Sequence, residues 1–208
     1  MYHSAAALKN EPLIIQFSGG KDSICMLDLL MQHHNGKMVV VFFYFVKGLE
    51  IKERTLNFYE KKYGIKIDQY PSHRTLTLST GKKWKMADIE TMLREKYDIS
   101  YIAQGSRKQE SMARRGMMAN LDDGLDKRNL KFYPIADMSN KQVLSYCKIN
   151  KLPLPVEYNH GMDRDIWVPD AAKMLWLKNN MPEDYRKIIT EFPQLESMVK
   201  RESMYGGK

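Results

Sequence analysis

The chain is predicted to fold as an α/β protein, an open and mostly parallel doubly wound sheet with a helical C-terminal extension. Three observations carry that expectation. Apolar, β-rich runs alternate with segments of helical period, which implies strands joined by helical crossovers. The longest run, Met38–Val46 (MVVVFFYFV), is apolar throughout, as a strand covered by helices on both faces is. The 208 residues, 43% of them hydrophobic and 28% charged, suffice for one compact core and exclude disordered and collagen-like classes.

The elements follow in order along the chain. Leu13–Phe17 is a short apolar run that stops at Ser18-Gly19-Gly20. The segment Asp22–His34 carries Ile24, Met26, Leu27, Leu30 and Met31 at mostly helical spacing, so this part reads strand, glycine turn, helix. After the Met38–Val46 strand, Leu49–Tyr63 has a helical stripe of Leu56, Tyr59 and Tyr63, with Gly64 as its stop. Ile65-Lys66-Ile67 is a brief strand, Trp84–Tyr97 a helix through Ile89, Leu93 and Tyr97, and Ile99–Gln104 another strand. Past residue 105 come a basic, Met-rich helical stretch, a polar loop at Asp122–Asn129 and a last strand at Leu130–Ile135. Ser139 and Gln142 form a capping box, with Met138 and Val143 placed as a hydrophobic staple. Residues 1–150 are read as one α/β domain, and 151–208 as a loop and helical extension packed on it.

Composition narrows the function classes. Lys plus Arg number 33 against 25 Asp plus Glu, a formal charge of +8, spread over many segments. That suits anionic ligands but also describes an ordinary solvated surface, so nucleic acid is compatible with the charge without being indicated by it. The 2 cysteines, Cys25 and Cys147, cannot build a disulfide framework, a four-Cys zinc site or a four-Cys iron–sulfur cluster. Any redox role would rest on isolated thiols. The N-terminal residues lack the basic start and apolar core of a secretory signal, and no apolar run approaches the roughly 20 residues of a membrane span. A soluble cytoplasmic protein with no membrane partner is expected.

The segment Ser18-Gly19-Gly20-Lys21-Asp22-Ser23 carries the chemistry. It joins a strand to a helix start, so its backbone N–H groups converge at a positive helix end, a geometry that holds phosphate. The glycines allow positive φ and close backbone approach, Lys21 adds a point charge, and the Ser18 and Ser23 hydroxyls are further donors. Asp22 cannot donate to phosphate; it would orient Lys21 or help hold Mg²⁺. The spacing fits neither GxxxxGK[ST] nor GxGxxG.

This SGGKDS segment resembles the modified P-loop of the PP-loop ATP pyrophosphatase superfamily, whose fold is adenine nucleotide alpha hydrolase-like and Rossmann-like. The resemblance implies that the loop grips the β,γ-pyrophosphate of ATP and that adenine docks on the backbone of the next strand, here near Phe45. A substrate oxygen then attacks the α-phosphate. The expected nucleotide site is therefore Phe17, Ser18, Gly19, Gly20, Lys21, Asp22, Ser23, Phe45 and Gly105, with ATP and Mg²⁺ as cofactors and Asp22 as the metal residue. Gly105-Ser106-Arg107-Lys108-Gln109-Glu110-Ser111 with Arg114, and Tyr133-Pro134-Ile135-Ala136-Asp137, are similar to segments of the PAPS reductase and sulfate adenylyltransferase small-subunit family. That resemblance implies that Arg107 and Arg114 approach phosphate or sulfate. By spacing they would share one face of a helix, and a solvated basic helix is the competing reading. Asp137 would hold a catalytic water or Mg²⁺, or else brace a turn.

The family pattern also fails in places. Its reductases need a C-terminal catalytic cysteine, and this sequence has none after Cys147; after Tyr158 it reads Asn159-His160-Gly161-Met162-Asp163-Arg164-Asp165. Cys25 and Cys147 are read as packing residues. The reductases also degenerate the SGGKDS loop, which is intact here. Both departures point to ATP and to an adenylyltransferase-type enzyme that releases pyrophosphate, with Lys21, Asp22, Arg107 and Arg114 as catalytic residues and an anionic acceptor as second substrate. A PAPS- or APS-binding reductase relative and a non-catalytic nucleotide- or RNA-binding adaptor are the alternatives. The sulfate-activating relatives work with a GTPase, so a protein partner or a homo-oligomer is compatible with the resemblance. His33 and His34 are read as C-terminal helix caps whose positive charge suits the macrodipole. His160, Asp163 and Asp165 would bind an ion or close over substrate, or simply be solvated. Trp84, Trp167 and Trp176 are read as core anchors.

Overall fold

A computed structural model of the protein describes residues 8–156, Tyr158 and residues 171–205. Strand β1 (Leu13–Gln16) leads through the Phe17–Gly20 turn into helix α1 (Lys21–His33), followed by β2 (Met38–Tyr44), α2 (Glu50–Tyr63) and β3 (Ile67–Pro71). Then come α3 (His73–Thr80), α4 (Met86–Tyr97), β4 (Tyr101–Gln104) and, after a 3₁₀ turn at Lys108–Glu110, α5 (Met112–Met118). The two-residue strands β5 (Leu125–Asp126) and β6 (Lys131–Phe132) precede α6 (Asn140–Ile149), α7 (Ala171–Asn180), α8 (Pro182–Glu191) and α9 (Leu195–Tyr205). The six strands form one sheet in the order β3-β2-β1-β4-β6-β5, parallel except for the β5–β6 pair. This is the expected doubly wound architecture.

Alternation along the strands sorts the core into two faces. Leu13, Ile15 and Phe17 pack with Ile24 and Leu27 of α1, Leu56 and Tyr59 of α2, and Val143 of α6. Ile14, Val41, Phe43 and Ile102 turn the other way, onto Ile89 and Leu93 of α4. The chain reverses sheet direction between β2-β1 and β4, and the C-terminal strand ends open there. A third cluster joins Phe45, Val46, Leu49 and Ile51 to Met174, Leu177, Ile188 and Phe192 of α7, α8 and the turn beyond. Asp184 of α8, 1% exposed, accepts the Glu50 and Ile51 backbone N–H groups at 2.8 and 2.9 Å and so caps α2 across that joint.

The structure departs from expectation where tertiary pairing overrides local pattern. β2 stops at Tyr44, because Phe45 and Val46 leave the sheet for the α7–α8 cluster. β3 begins at Ile67 and runs on through polar residues, as an edge strand can; the Ile67 N–H is held by the Glu60 carboxylate at 2.7 Å. The Thr-rich α3 has no helical stripe to read, yet Thr75 Oγ1 donates to Phe45 O at 2.9 Å and Ser72 caps the helix. The Asp122–Asn129 loop contains β5, which pairs back on β6, and the expected Leu130–Ile135 strand shrinks to two residues. The capping box at α6 forms as read, with Ser139 N–H donating to Gln142 Oε1 at 2.7 Å and Met138 and Val143 both buried. His34 does not bring positive charge to the end of α1: it is 8% exposed, and burial pulls its pKa below the ordinary 6.5.

Residues Ser23–Leu30 of helix α1 are buried, and one carboxylate anchors its middle. Asp28, 1% exposed, accepts hydrogen bonds from Tyr63 of α2, Tyr146 of α6 at 2.7 Å and Gln32 at 2.6 Å, with Lys62 Nζ at 3.4 Å. Burial first, and Asp28 second, push both phenols up, so they remain donors. Tyr146→Phe removes one charge-assisted bond and is expected to cost about 1.5 kcal/mol, and Asp28→Ala, which orphans several buried donors, about 3 kcal/mol, both read from urea midpoints. A second expectation concerns acid. The folded state holds His34 neutral, so its contribution is present above pH 6.5 and is lost as the pH falls and the unfolded chain takes up the proton. Urea stability should therefore decline between pH 7 and pH 5.5, and His34→Gln should flatten that slope.

Candidate functional site

The turn after β1 is built by its own side chains. The Ser18 hydroxyl accepts the Gly20 N–H at 3.2 Å and lies 3.1 Å from the Ser23 hydroxyl, which donates to Gly20 O at 2.9 Å and accepts the Ser18 N–H at 3.2 Å. Both serines thus brace the turn, a different use from direct donation to phosphate. Gly19 sits at φ +76, a conformation that favours glycine. Gly20 is the N-cap of α1 with no side-chain cap, and Gly20, Lys21, Asp22 and Ser23 at this helix start line the cavity. Tyr158 reaches the Lys21 N–H with its hydroxyl at 3.4 Å, and Lys21 Nζ lies 5.9 Å from its ring centre.

Asp22 joins the turn to the loop after β4. Its Oδ2 is 2.9 Å from Lys21 Nζ and its Oδ1 accepts from Arg107 Nε at 2.6 Å. Arg107 is 5% exposed and also donates to Met138 O at 3.3 Å. Gly105 makes this meeting sterically allowed: a Cβ there would stand 3.0 Å from Ser23 N and 3.1 Å from the Asp22 carbonyl. Arg107 and Arg114 do not share one helix. Arg107 precedes the 3₁₀ turn, Ser111 breaks the chain into extended backbone at φ −164, and Arg114 lies in the first turn of a new helix that Ser111 caps. The two arginines still face the same cavity, and Glu110 ties them, 3.9 Å from Arg107 Nε and 3.3 Å from Arg114 Nε. Arg114 also bonds Ser106.

The cavity at the C-terminal strand ends measures about 940 Å³. Of the expected residues, Phe17, Ser18, Gly20, Lys21, Asp22, Ser23, Gly105, Arg107 and Arg114 line it. Gly19 instead shapes the turn, and the Phe45 ring stacks on Phe192 at 4.6 Å in the α7–α8 cluster, while Phe43 lines the cavity. Asp137 lies outside the lining, its side chain 71% exposed and paired with Lys108 at 2.6 Å. His160, Asp163, Asp165 and Trp167 fall outside the described residues. Trp84 and Trp176 pack as anchors against the α4 and α7–α8 clusters.

The chain's own side chains do not fit a protein-held Mg²⁺, since each Asp22 oxygen already faces a cation. Among the described residues no group of three His, Cys, Asp or Glu could hold a metal, and no helix is long and apolar enough to cross a membrane. The two cysteines are not isolated from each other. Cys25 of α1 and Cys147 of α6 are both buried, and the neighbouring Cys147 together with burial pushes the Cys25 thiol up, while Cys25 Sγ lies 3.9 Å from Met138 Sδ. Cys147 Sγ lies 3.8 Å from the Lys21 carbonyl, and neither sulfur lines the cavity.

Sequence reasoning missed Gln16, Phe43, Met86, Glu90, Gln104 and Lys131, all in the lining. A glutamine ends both β1 and β4, the strand ends where such sheets bind ligands, and that was the signal available. Glu90, on the apolar side of α4 between Ile89 and Leu93, carried a weaker one.

A parallel sheet that reverses its strand order beside a serine- and glycine-built turn defines the class as an adenine nucleotide alpha hydrolase-like α/β fold. Within it the chain belongs to the phosphoadenosine phosphosulfate reductase domain family, whose model matches residues 12–188. Two uncharacterized proteins of Methanocaldococcus jannaschii are similar to it. MJ0066 is 27% identical over 89% of this chain and 40% of its own length, and MJ0973 is 28% identical over 90% and 49%. The chain thus spans half or less of the curated relatives it matches. Solved structures share the fold. Phosphoadenylyl-sulfate reductase from Candida auris, as a phosphate complex, has a TM-score of 0.52 at 11% identity, covering 75% of this chain and 81% of that one. The U34-tRNA thiolase NcsA of Methanococcus maripaludis has 0.52 at 17%, covering 91% and 73%. NH3-dependent NAD synthetase of Campylobacter jejuni has 0.51 at 12%, covering 99% and 92%.

Gly105→Ala tests the contact that joins the two loops. A methyl group there must displace backbone of α1, so a loss of about 1–3 kcal/mol in urea is expected, whereas Gly116→Ala, which meets nothing within 4 Å, should not destabilise.

Proposed function

We propose that this protein is a PP-loop enzyme that binds ATP and transfers AMP to an acceptor, releasing pyrophosphate. One observation carries the reading: the uncapped N-terminus of a buried helix opens into a cavity beside Lys21, Arg107 and Arg114, at the sheet's switch in strand order. The β,γ-pyrophosphate lies against the Gly20–Asp22 backbone and Lys21, where the helix end and the ammonium favour negative charge. An acceptor oxygen attacks the α-phosphorus, the bond to the bridging oxygen of the β-phosphate breaks, and both electrons of that bond leave with pyrophosphate. Charge growing on the leaving group meets donors already in place, the main contribution a protein makes to such a transfer. Asp22 does not touch the phosphates. It holds Lys21 and Arg107 in register, so that Arg107 and Arg114 face the α-phosphate or an anionic acceptor from the other side.

The family match supports a second reading, reduction of a sulfonucleotide. The burial of both thiols away from the cavity weighs against it. Incubation with α-labelled ATP and candidate acceptors is expected to release pyrophosphate and labelled AMP products, and Lys21→Ala to lower the rate by at least 100-fold. ADP with phosphate as the only products would overturn AMP transfer. Thiol-dependent sulfite release from a sulfonucleotide would establish the second reading, and tight binding without turnover would make the chain a nucleotide-binding adaptor.

A further inference from the structure

The half of the cavity under α4 has a chemistry different from the half at α1. Gln16 and Gln104 end β1 and β4, Lys131 opens β6, and the register of Ile102 with Lys131 turns all three side chains to the α4 face. There they meet Glu90, which is 2% exposed. Glu90 Oε1 accepts from Gln104 Nε2 at 2.9 Å, from Lys131 Nζ at 3.0 Å and from Gln16 Nε2 at 3.2 Å. Gln104 Nε2 also donates to Gln16 Oε1 at 2.8 Å. All four line the cavity, and Phe43 and Met86 line it beside them.

This floor is unsuited to an oxyanion. Glu90 and Lys131 cancel in charge, and a carboxylate just beneath the cavity floor repels phosphate or sulfate, which the other half of the cavity serves with Lys21, Arg107 and Arg114. Two Lys131 N–H bonds and Gln104 Oε1 take no hydrogen bond among the described residues, so donors and an acceptor stand side by side and locked in place. Donors beside an acceptor, between apolar side chains that can cover a ring, complement the edge and faces of a heterocyclic base. A buried carboxylate is costly to keep unless its position serves a partner, and its neighbours Ile89 and Leu93 show that apolar residues suit this face of α4.

We propose that Gln16, Glu90, Gln104 and Lys131 form a base-reading subsite that takes a purine or pyrimidine, with the attached sugar and phosphates crossing the strand ends toward the Ser18–Ser23 turn. The proposal rests on the reading of this cavity as a nucleotide site and adds which residues choose the base. The base comes either from the bound triphosphate or from an acceptor nucleic acid, and the chemistry recognised is the same.

The test is equilibrium titration of the wild type, Glu90→Gln and the double variant Glu90→Gln/Lys131→Gln. The ligands are ATP, GTP, CTP, UTP, inorganic tripolyphosphate and four homopolymeric DNA oligonucleotides. The double variant replaces the ion pair with a neutral pair of similar size and guards against misfolding of the single one. Wild type is expected to prefer one base at least 10-fold, and the variants to reduce that preference to threefold or less while tripolyphosphate binding stays within twofold. Loss of preference among the triphosphates assigns the subsite to the nucleotide's own base, and loss among the oligonucleotides assigns it to the acceptor. Unchanged preference in both series, or tripolyphosphate weakened as much as the nucleotides, overturns the proposal. Base preference without pyrophosphate release would sink AMP transfer alone; base-blind binding with normal pyrophosphate release would sink the subsite alone.

Discussion

Helix α1 starts in the open and continues in the core, and most of the site follows from that. Gly20 brings no side-chain cap to its first turn, where the Lys21 N–H meets only the Tyr158 hydroxyl at 3.4 Å, while Ser23 through Leu30 are buried. A helix whose body is fixed so firmly cannot fray to satisfy its own end. The first-turn donors stay directed at one volume, and the serine braces fix the backbone of the preceding turn.

Two carboxylates on α1 divide the labour. Asp28, deep in the sheet's α1 face, collects phenols from α2 and α6 and sets the rotation of the helix. Asp22, at the mouth, collects Lys21 and Arg107 and sets the distance between the first loop and the loop after β4. The second contact needs the missing side chain at Gly105, since any Cβ there would meet α1 backbone. Cations that would repel one another in isolation are thereby held a short distance apart, with a shared anion between them. The cavity's other half has the reverse arrangement, a central carboxylate surrounded by amides and one ammonium.

The helices at 171–205 contribute to the same region indirectly. They take Phe45 and Val46 out of the β2 strand and cap α2 through Asp184, so the strand end beside the cavity is shaped by residues far along the chain. Covering an apolar run on the end of a strand is what stops the strand there, since Tyr44 is the last residue whose backbone still pairs with β3.

What is local and contiguous was legible along the chain. The strand, turn and helix around Ser18–Ser23 lie within one short segment, the buried run of β2 is its own signal, and the Ser139 and Gln142 caps lie within one helical turn; spacing along the chain dictates each of these. Tertiary structure decided whatever needs distant partners. Glu90 is separated from Gln16 by 74 residues and from Lys131 by 41, and no periodicity relates them. Arg107 and Arg114 have helical spacing, but Ser111 splits their segment because its side chain caps the second piece better than its backbone could continue the first. The Thr-rich α3 is held by Thr75, which donates to the carbonyls of Tyr44 at the end of β2 and of Phe45 just beyond it, and His34 is neutral because the fold buries it. The loop that offers donors was legible because a helix end is a property of consecutive residues, and the floor opposite it was not, because its four side chains first meet when the sheet is assembled.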